Sequence, residues 1–131
     1  MDVQKEMEVI KWSDDIRRIT EHFGAGKLGV VLDTTHLSNV AQTIQYIRAT
    51  NQIIHTHLSD AKVNSSGIID THLPLGEGEL NFSAVFAALL PHYQGIVSLE
   101  TFIPPGNSKY ILAQREWLDS VLNSQDGSAS A

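Results

Sequence analysis

The chain has 131 residues, 42% hydrophobic and 18% charged, which suits one folded domain with its own core and excludes wholesale disorder. Nine Lys and Arg against fifteen Asp and Glu give a formal charge of −6, which disfavours a nucleic-acid partner, because that affinity comes from neutralising phosphates. No cysteine is present, so disulfides, thiolate zinc sites and a Cys nucleophile are excluded, and any metal must be held by His and carboxylates.

Residues 1–12 read ambiguously. Val3, Met7 and Ile10 suit a helix, but the stretch equally suits a remnant of another element. A helix is expected over residues 13–24, with Ser13 as N-cap, Asp14 and Asp15 at the positive end, and Ile16, Ile19 and Phe23 on one face. Residues 28–33 are a short apolar run ending in a carboxylate, as expected of a parallel strand buried on both faces. A helix over 38–50 follows, with Val40, Ala41, Ile44 and Ile47 facing inward, and then a strand over 52–57. Asn64, Ser65, Ser66 and Gly67 mark a loop that continues to a Pro/Gly segment. Asn81 or Ser83 caps a third helix through residue 90, whose inward face carries Phe82, Val85, Phe86 and Leu89. A third strand over 95–100, again ending in a carboxylate, precedes a helix over 109–122 and a polar tail at 124–131 expected to be disordered. The domain is thus placed at residues 1–123. Strand–helix alternation at this spacing predicts parallel strands with right-handed crossovers.

The chain shows no signal-peptide pattern and no apolar run near the ~20 residues of a membrane span, so a cytoplasmic protein without a membrane partner is the default expectation.

The ionisable residues gather at the ends of the three strands: Asp33 with His36, His55 with His57, and Glu100. Parallel α/β folds build their sites at that edge. Alternation predicts that Asp33, His57 and Glu100 point inward, with His55 and Ser98 one layer deeper. Leu32, Val30, Ile54, Leu99 and Val97 are then expected to meet the helices. Asp70-Thr-His72 adds a second carboxylate–imidazole pair. A lone strand histidine is usually a satisfied interior residue, and His55 is read that way. His22 and His92 are read as surface or helix-end residues. That three independent strands each end in a metal-capable residue is harder to ascribe to chance. The donor set suits a divalent ion: oxygen ligands favour hard ions such as magnesium, and imidazole extends the choice to manganese, zinc, cobalt or iron.

Gly29-Val-Val-Leu-Asp33-Thr-Thr-His36, Ile54-His-Thr-His57-Leu-Ser-Asp60, Asp70-Thr-His72-Leu-Pro-Leu-Gly76-Glu-Gly78 and Ser98-Leu-Glu100, in order across residues 13–122, resemble successive motifs of the xylose-isomerase-like TIM barrels. That superfamily includes sugar-phosphate isomerases and epimerases and the endonuclease IV type of apurinic-site nuclease. The resemblance implies an α/β fold, a partial (β/α)8 barrel of about three parallel strands equivalent to the sixth to eighth, with flanking helices. It implies that Asp33, His57 and Glu100 are metal ligands, with Glu100 also the catalytic acid/base. His36 matches a substrate-binding position, or a second-metal ligand in the nucleases, and Asp70 and His72 match a further metal pair. A complete barrel needs about 250 residues, so strands one to five are lacking. The family's other metal-binding glutamate sits on the fifth strand, and neither Glu6 nor Glu8 is identified as its substitute.

These features imply a sugar or sugar-phosphate isomerase or epimerase using a divalent cation (manganese, zinc, magnesium or cobalt) and an enediolate mechanism, incomplete in this chain. One alternative is a catalytically silent partial barrel whose open edges and inner face lead to a homodimer or larger homo-oligomer. Another is an abasic-site nuclease, ranked lower on the acidic charge.

Overall fold

A computed structural model describes residues 13–24, 26–37, 39–50 and 52–129. Helix α1 (Ser13–Phe23) leads into strand β1 (Val30–Asp33), helix α2 (Val40–Ala49) and strand β2 (Ile53–Leu58). Strands β3 (Asp60–Asn64) and β4 (Gly67–Leu73) follow, then α3 (Phe82–Leu89), β5 (Val97–Leu99) and α4 (Lys109–Ala129). Strands β1, β2 and β5 form a parallel sheet in the order β1-β2-β5, while β3 and β4 pair antiparallel with each other. This is the expected partial barrel: three parallel strands with flanking helices, and no closure among the described residues.

The helices cover one face of the sheet, α1 against α2, α2 against α3 and α3 against α4. Val30, Leu32 and Leu58 of the strands join Tyr46 and Ile47 of α2 and Phe82, Val85, Phe86 and Leu89 of α3 in a buried core. The inward face of α3 is therefore the one its sequence predicts. Trp117 of α4 closes the far side, edge to face with Phe82 at 5.4 Å. Asn39 caps α2, its Oδ1 accepting from Gln42 N at 2.9 Å, and Asn81 caps α3 by accepting from Ala84 N at 3.1 Å. Each satisfies a donor that has no partner inside the helix.

Several expectations fail, each for a local reason. Phe23 is exposed, and Thr20 is buried in its place with its hydroxyl donating to the Ile16 carbonyl at 2.9 Å. In α2 the buried side chains are Thr43, Tyr46 and Ile47, whereas Ala41 is exposed. The Tyr46 hydroxyl donates to Val31 O at 3.3 Å, so its polar tip is satisfied inside the core. Ile54 does not meet the helices and is 65% exposed. The register explains this: Val30 pairs with Ile53 but Val31 pairs with His55, so Ile54 is an extra residue in β2 and the alternation is reset there. Ile53 packs on the core instead. Leu99 is likewise exposed at the end of β5.

The segment expected as a loop is a hairpin. Asn64 and Gly67 pair across Ser65 and Ser66, and Asn64 Oδ1 accepts from Ser66 N at 2.8 Å. Two register shifts, each an extra residue on the β4 side, break the alternation that would have announced that strand. The last helix, expected to stop at residue 122, continues to Ala129. Ser124 Oγ donates to Val121 O at 2.7 Å and Gln125 Nε2 to Ser83 O at 3.1 Å, which ties this stretch to the preceding turn and to α3. The readings made for Val3, Glu6, Met7, Glu8, Ile10, Ser38 and residues 130–131 lie outside the described residues, as does the Ser13 side chain.

Asp60 anchors the chain between the hairpin and α3. Its carboxylate is buried and accepts from Ala61 N (2.9 Å) and Leu80 N (3.1 Å) on Oδ1, and from Gly76 N (3.0 Å) on Oδ2. Gly78 passes so close that a Cβ there would run into the Asp60 carboxylate and the Ala61 carbonyl. Gly76 adopts φ +90°, where a side chain is strained and would also strike Trp117. The Gly-Glu-Gly turn is thus shaped by a buried carboxylate.

Candidate metal centre

Parallel pairing brings the strand ends together. Asp33 is the register partner of His57, and His57 that of Ser98. Glu100 lies just past β5, its backbone N–H donating to Leu58 O at 2.9 Å. Alternation turns Asp33, His57 and Glu100 to the inner face, away from the helices, because Leu32, Thr56 and Leu58 are buried on the other.

The loop after β1 is held by a reciprocal contact. Thr34 Oγ1 donates to Ser59 O at 2.8 Å and accepts from Ser59 N at 3.1 Å, which locks the end of β1 to the end of β2. Asp33 Oδ1 accepts from the N–H and hydroxyl of Thr35 at 2.9 and 3.1 Å. That leaves Asp33 Oδ2 to face the site. His57 Nδ1 lies 3.9 Å from Asp33 Oδ2 and 3.1 Å from Glu100 Oε2.

One ligand atom from each of Asp33, His57 and Glu100 falls within 4.8 Å of the other two, a group of three metal-capable side chains among the described residues. A cation about 2.0–2.2 Å from each donor requires donor pairs roughly 3–4.4 Å apart. The separations of His57 Nδ1 from the two carboxylates, 3.9 and 3.1 Å, meet that requirement. The chemistry fits as well, since two carboxylates this close repel unless positive charge lies between them, and imidazole is a good ligand for zinc, manganese or cobalt.

The remaining residues singled out in the sequence spread around this triad. His36 Nε2 is 3.6 Å from Asp33 Oδ2 and its ring lies 6.1 Å from that of His72. His72 sits at φ +60°, an uncommon conformation for a residue with a side chain, and its ring stacks on Phe102 at 4.9 Å. Phe102 N donates to His72 O at 2.9 Å, which ties the hairpin to the loop after β5. Asp70 is exposed in the hairpin opposite Lys62 and is not part of the close triad. His55 Nε2 lies 3.0 Å from Ser98 Oγ, so His55 is a satisfied inner-face histidine, as its lone position suggested. His22 and His92 are exposed.

Two contributors escaped the sequence reading. Asp60 was visible only as part of a motif, and its three backbone bonds depend on folding. Phe102 follows Glu100 by two residues, a spacing that continues the inward face but carries no signal of its own. A cavity of about 410 Å³, lined by Val40, Val63, Asn64, Gly67, Glu79 and Asn81 among others, opens at the hairpin tip, and none of the triad lines it. Among the described residues no helix is long and apolar enough to cross a membrane.

Comparison with known proteins agrees with this architecture. A D-tagatose 3-epimerase-like protein superposes over 90% of this chain with a TM-score of 0.71 and 22% identity. An IOLI protein with a bound zinc atom superposes over 85% with a TM-score of 0.67 and 21% identity. A xylose isomerase domain protein from Planctomyces limnophilus covers 89% at a TM-score of 0.58 and 20% identity. The chain spans 43% of each of these three structures. MJ1311, an uncharacterized protein of Methanocaldococcus jannaschii, is 27% identical over 92 residues, which is 66% of this chain and 30% of that protein. The family model for the xylose isomerase-like TIM barrel matches residues 4–121, and the chain therefore belongs to that family.

Proposed function

We propose that this chain supplies the metal-binding wall of a site for isomerising or epimerising a sugar or sugar phosphate. The observation that carries the proposal is the convergence of Asp33, His57 and Glu100 within 4.8 Å from three parallel strands. A divalent cation held by these residues would polarise neighbouring carbonyl and hydroxyl oxygens of an open-chain sugar. Glu100, half-exposed on the open side, would take the proton from the carbon beside the carbonyl. The C–H electron pair would delocalise into an enediolate; return of the proton to the opposite face would give the epimer, and its return to the neighbouring carbon, with the hydroxyl proton passing between the two oxygens, would give the isomer. His36 borders the triad on the Asp33 side and would contact a substrate oxygen. Asp70 and His72 are the candidates for a further metal near the hairpin. The zinc atom in the IOLI structure supports the metal reading.

Metal analysis of chelator-free protein tests the centre. About one equivalent of bound metal is expected in the wild type, and loss of it in Asp33→Ala and in His57→Ala. Metal retained by both variants would overturn the assignment. Solvent-deuterium exchange at C2 or C3 of ketoses tests the chemistry, and nicking of an abasic duplex tests the nuclease alternative.

A second reading rests on the sheet's open inner face. Val31, Ile54 and Ile96 are 44%, 65% and 73% exposed there, an arrangement that invites association. In this reading the chain is a silent partial barrel that forms a homodimer or larger assembly. Inactivity on ketoses and abasic DNA, with the fold intact, would favour it.

A further inference from the structure

The metal reading requires His57 to present Nδ1, not a ring carbon, to Asp33 and Glu100. A half-turn about the bond joining Cβ to the ring exchanges Nδ1 with Cδ2 and would offer a C–H to the site. Such terminal torsions are broad and roughly two-fold. Burial does not choose between the two orientations, because the His57 side chain is 39% exposed on the open inner face. The approach of Nδ1 to Glu100 Oε2 at 3.1 Å favours the observed orientation from above, and a second contact bears on the ring from below.

The layer beneath the triad provides it. The His55 ring meets the His57 ring edge to face, with centroids 5.2 Å apart and planes 89° apart. His55 is itself held through Nε2, 3.0 Å from Ser98 Oγ. Ser98 is the backbone register partner of His57 on β5. The hydroxyl thus crosses from β5 to β2 and bonds one layer below the residue beside it. His55 and His57 stand two residues apart in the regular part of β2, beyond the inserted Ile54, so alternation puts both on the inner face.

We propose that Ser98 and His55 are positioning residues for the metal centre: the Ser98 hydroxyl fixes the His55 ring, and that ring selects the His57 orientation that aims Nδ1 at Asp33 and Glu100. The inference rests on the metal reading for its consequence, but the ring orientation can be measured without metal. Interactions that orient a metal-bound histidine commonly alter affinity tenfold or more. The contact here is ring against ring, so an effect of about tenfold is expected, at the low end of that range.

The test uses the wild type, Ser98→Ala, Ser98→Thr and His55→Ala in two measurements. In the metal-free protein, long-range proton–nitrogen spectra and ring-proton distances of His57 report which ring edge faces Glu100. A single orientation is expected in the wild type and in Ser98→Thr, and two orientations in Ser98→Ala and His55→Ala. Titration with cobalt, followed by its visible absorption, should show about tenfold weaker binding and an altered band shape in Ser98→Ala. Ser98→Thr, which keeps the hydroxyl, should restore both. Far-UV circular dichroism separates these effects from loss of the fold. A wild type that binds no cobalt would overturn the metal reading, while the ring measurement still decides the positioning. A His57 ring with the same single orientation in Ser98→Ala and His55→Ala overturns the proposal. Failure of Ser98→Thr to restore what Ser98→Ala loses overturns the part assigned to the hydroxyl.

Discussion

Asp60→Asn exchanges one carboxylate oxygen for an NH2 group at a buried side chain that accepts three backbone N–H groups. If the amide oxygen keeps the place of Oδ1, it still serves Ala61 and Leu80, but the NH2 then opposes the Gly76 N–H. If the amide flips, Gly76 is satisfied and the other two donors are opposed. The better orientation loses one charge-assisted bond, worth about 1.5–3 kcal/mol. Removing a buried charge returns part of that, so a net destabilisation of about 2 kcal/mol is expected. Asp60→Ala leaves all three donors without an acceptor and should cost about 4 kcal/mol, close to the whole stability of a small domain. Urea unfolding followed by far-UV circular dichroism reads the global effect. Amide hydrogen exchange reads the local one: Gly76 should lose protection in Asp60→Asn while the amides of α3 beyond its first turn keep theirs. A wild-type urea midpoint for Asp60→Asn, with Gly76 exchange unchanged, would refute the role given to this carboxylate.

Gly78→Ala should destabilise by about 2–3 kcal/mol, since its Cβ would collide with the same carboxylate and with Ala61 O. A double-mutant cycle with Asp60→Ala should be strongly non-additive, because the larger clash partner is then gone. Burial raises the Tyr46 phenol above its ordinary value of 10.0. The folded state therefore holds that proton more tightly than the unfolded one, so the stability is fully present below pH 10 and declines as the pH rises through the folded-state value. Alkaline unfolding midpoints should show the decline in the wild type and a shallower one in Tyr46→Phe. If the open inner face drives association, light scattering after size exclusion should show a dimer or larger species, and Ile54→Asp should shift it toward monomer. A wild-type monomer would count heavily against the silent-oligomer reading.

Much of the fold was legible in the chain. The runs ending in Asp33 and Glu100 announced parallel strands, but the expected burial on both faces holds only toward the helices, since Val31 and Ile96 are exposed on the open inner face. The α3 face was fully legible: Phe82, Val85, Phe86 and Leu89 repeat at helical spacing, and all four are buried. Where two periodic patterns were incomplete, tertiary packing decided. Thr20, Thr43 and Tyr46 are polar or amphipathic, yet they are buried because a backbone carbonyl lies within reach of each hydroxyl.

The sequence by itself determined which residue types stand at the ends of three strands and in what order. It could not determine that Ile54 is an extra residue in β2, that residues 60–73 form a hairpin, or that one buried carboxylate organises the turn at Gly76. Those outcomes depend on partners far away along the chain: Val31 for the bulge, Leu80 and Gly76 for Asp60. Local propensity is written in neighbouring residues and can be read from them. Register and hydrogen-bond partnership are settled only when distant segments meet, and the separations among Asp33, His57 and Glu100 are of that kind.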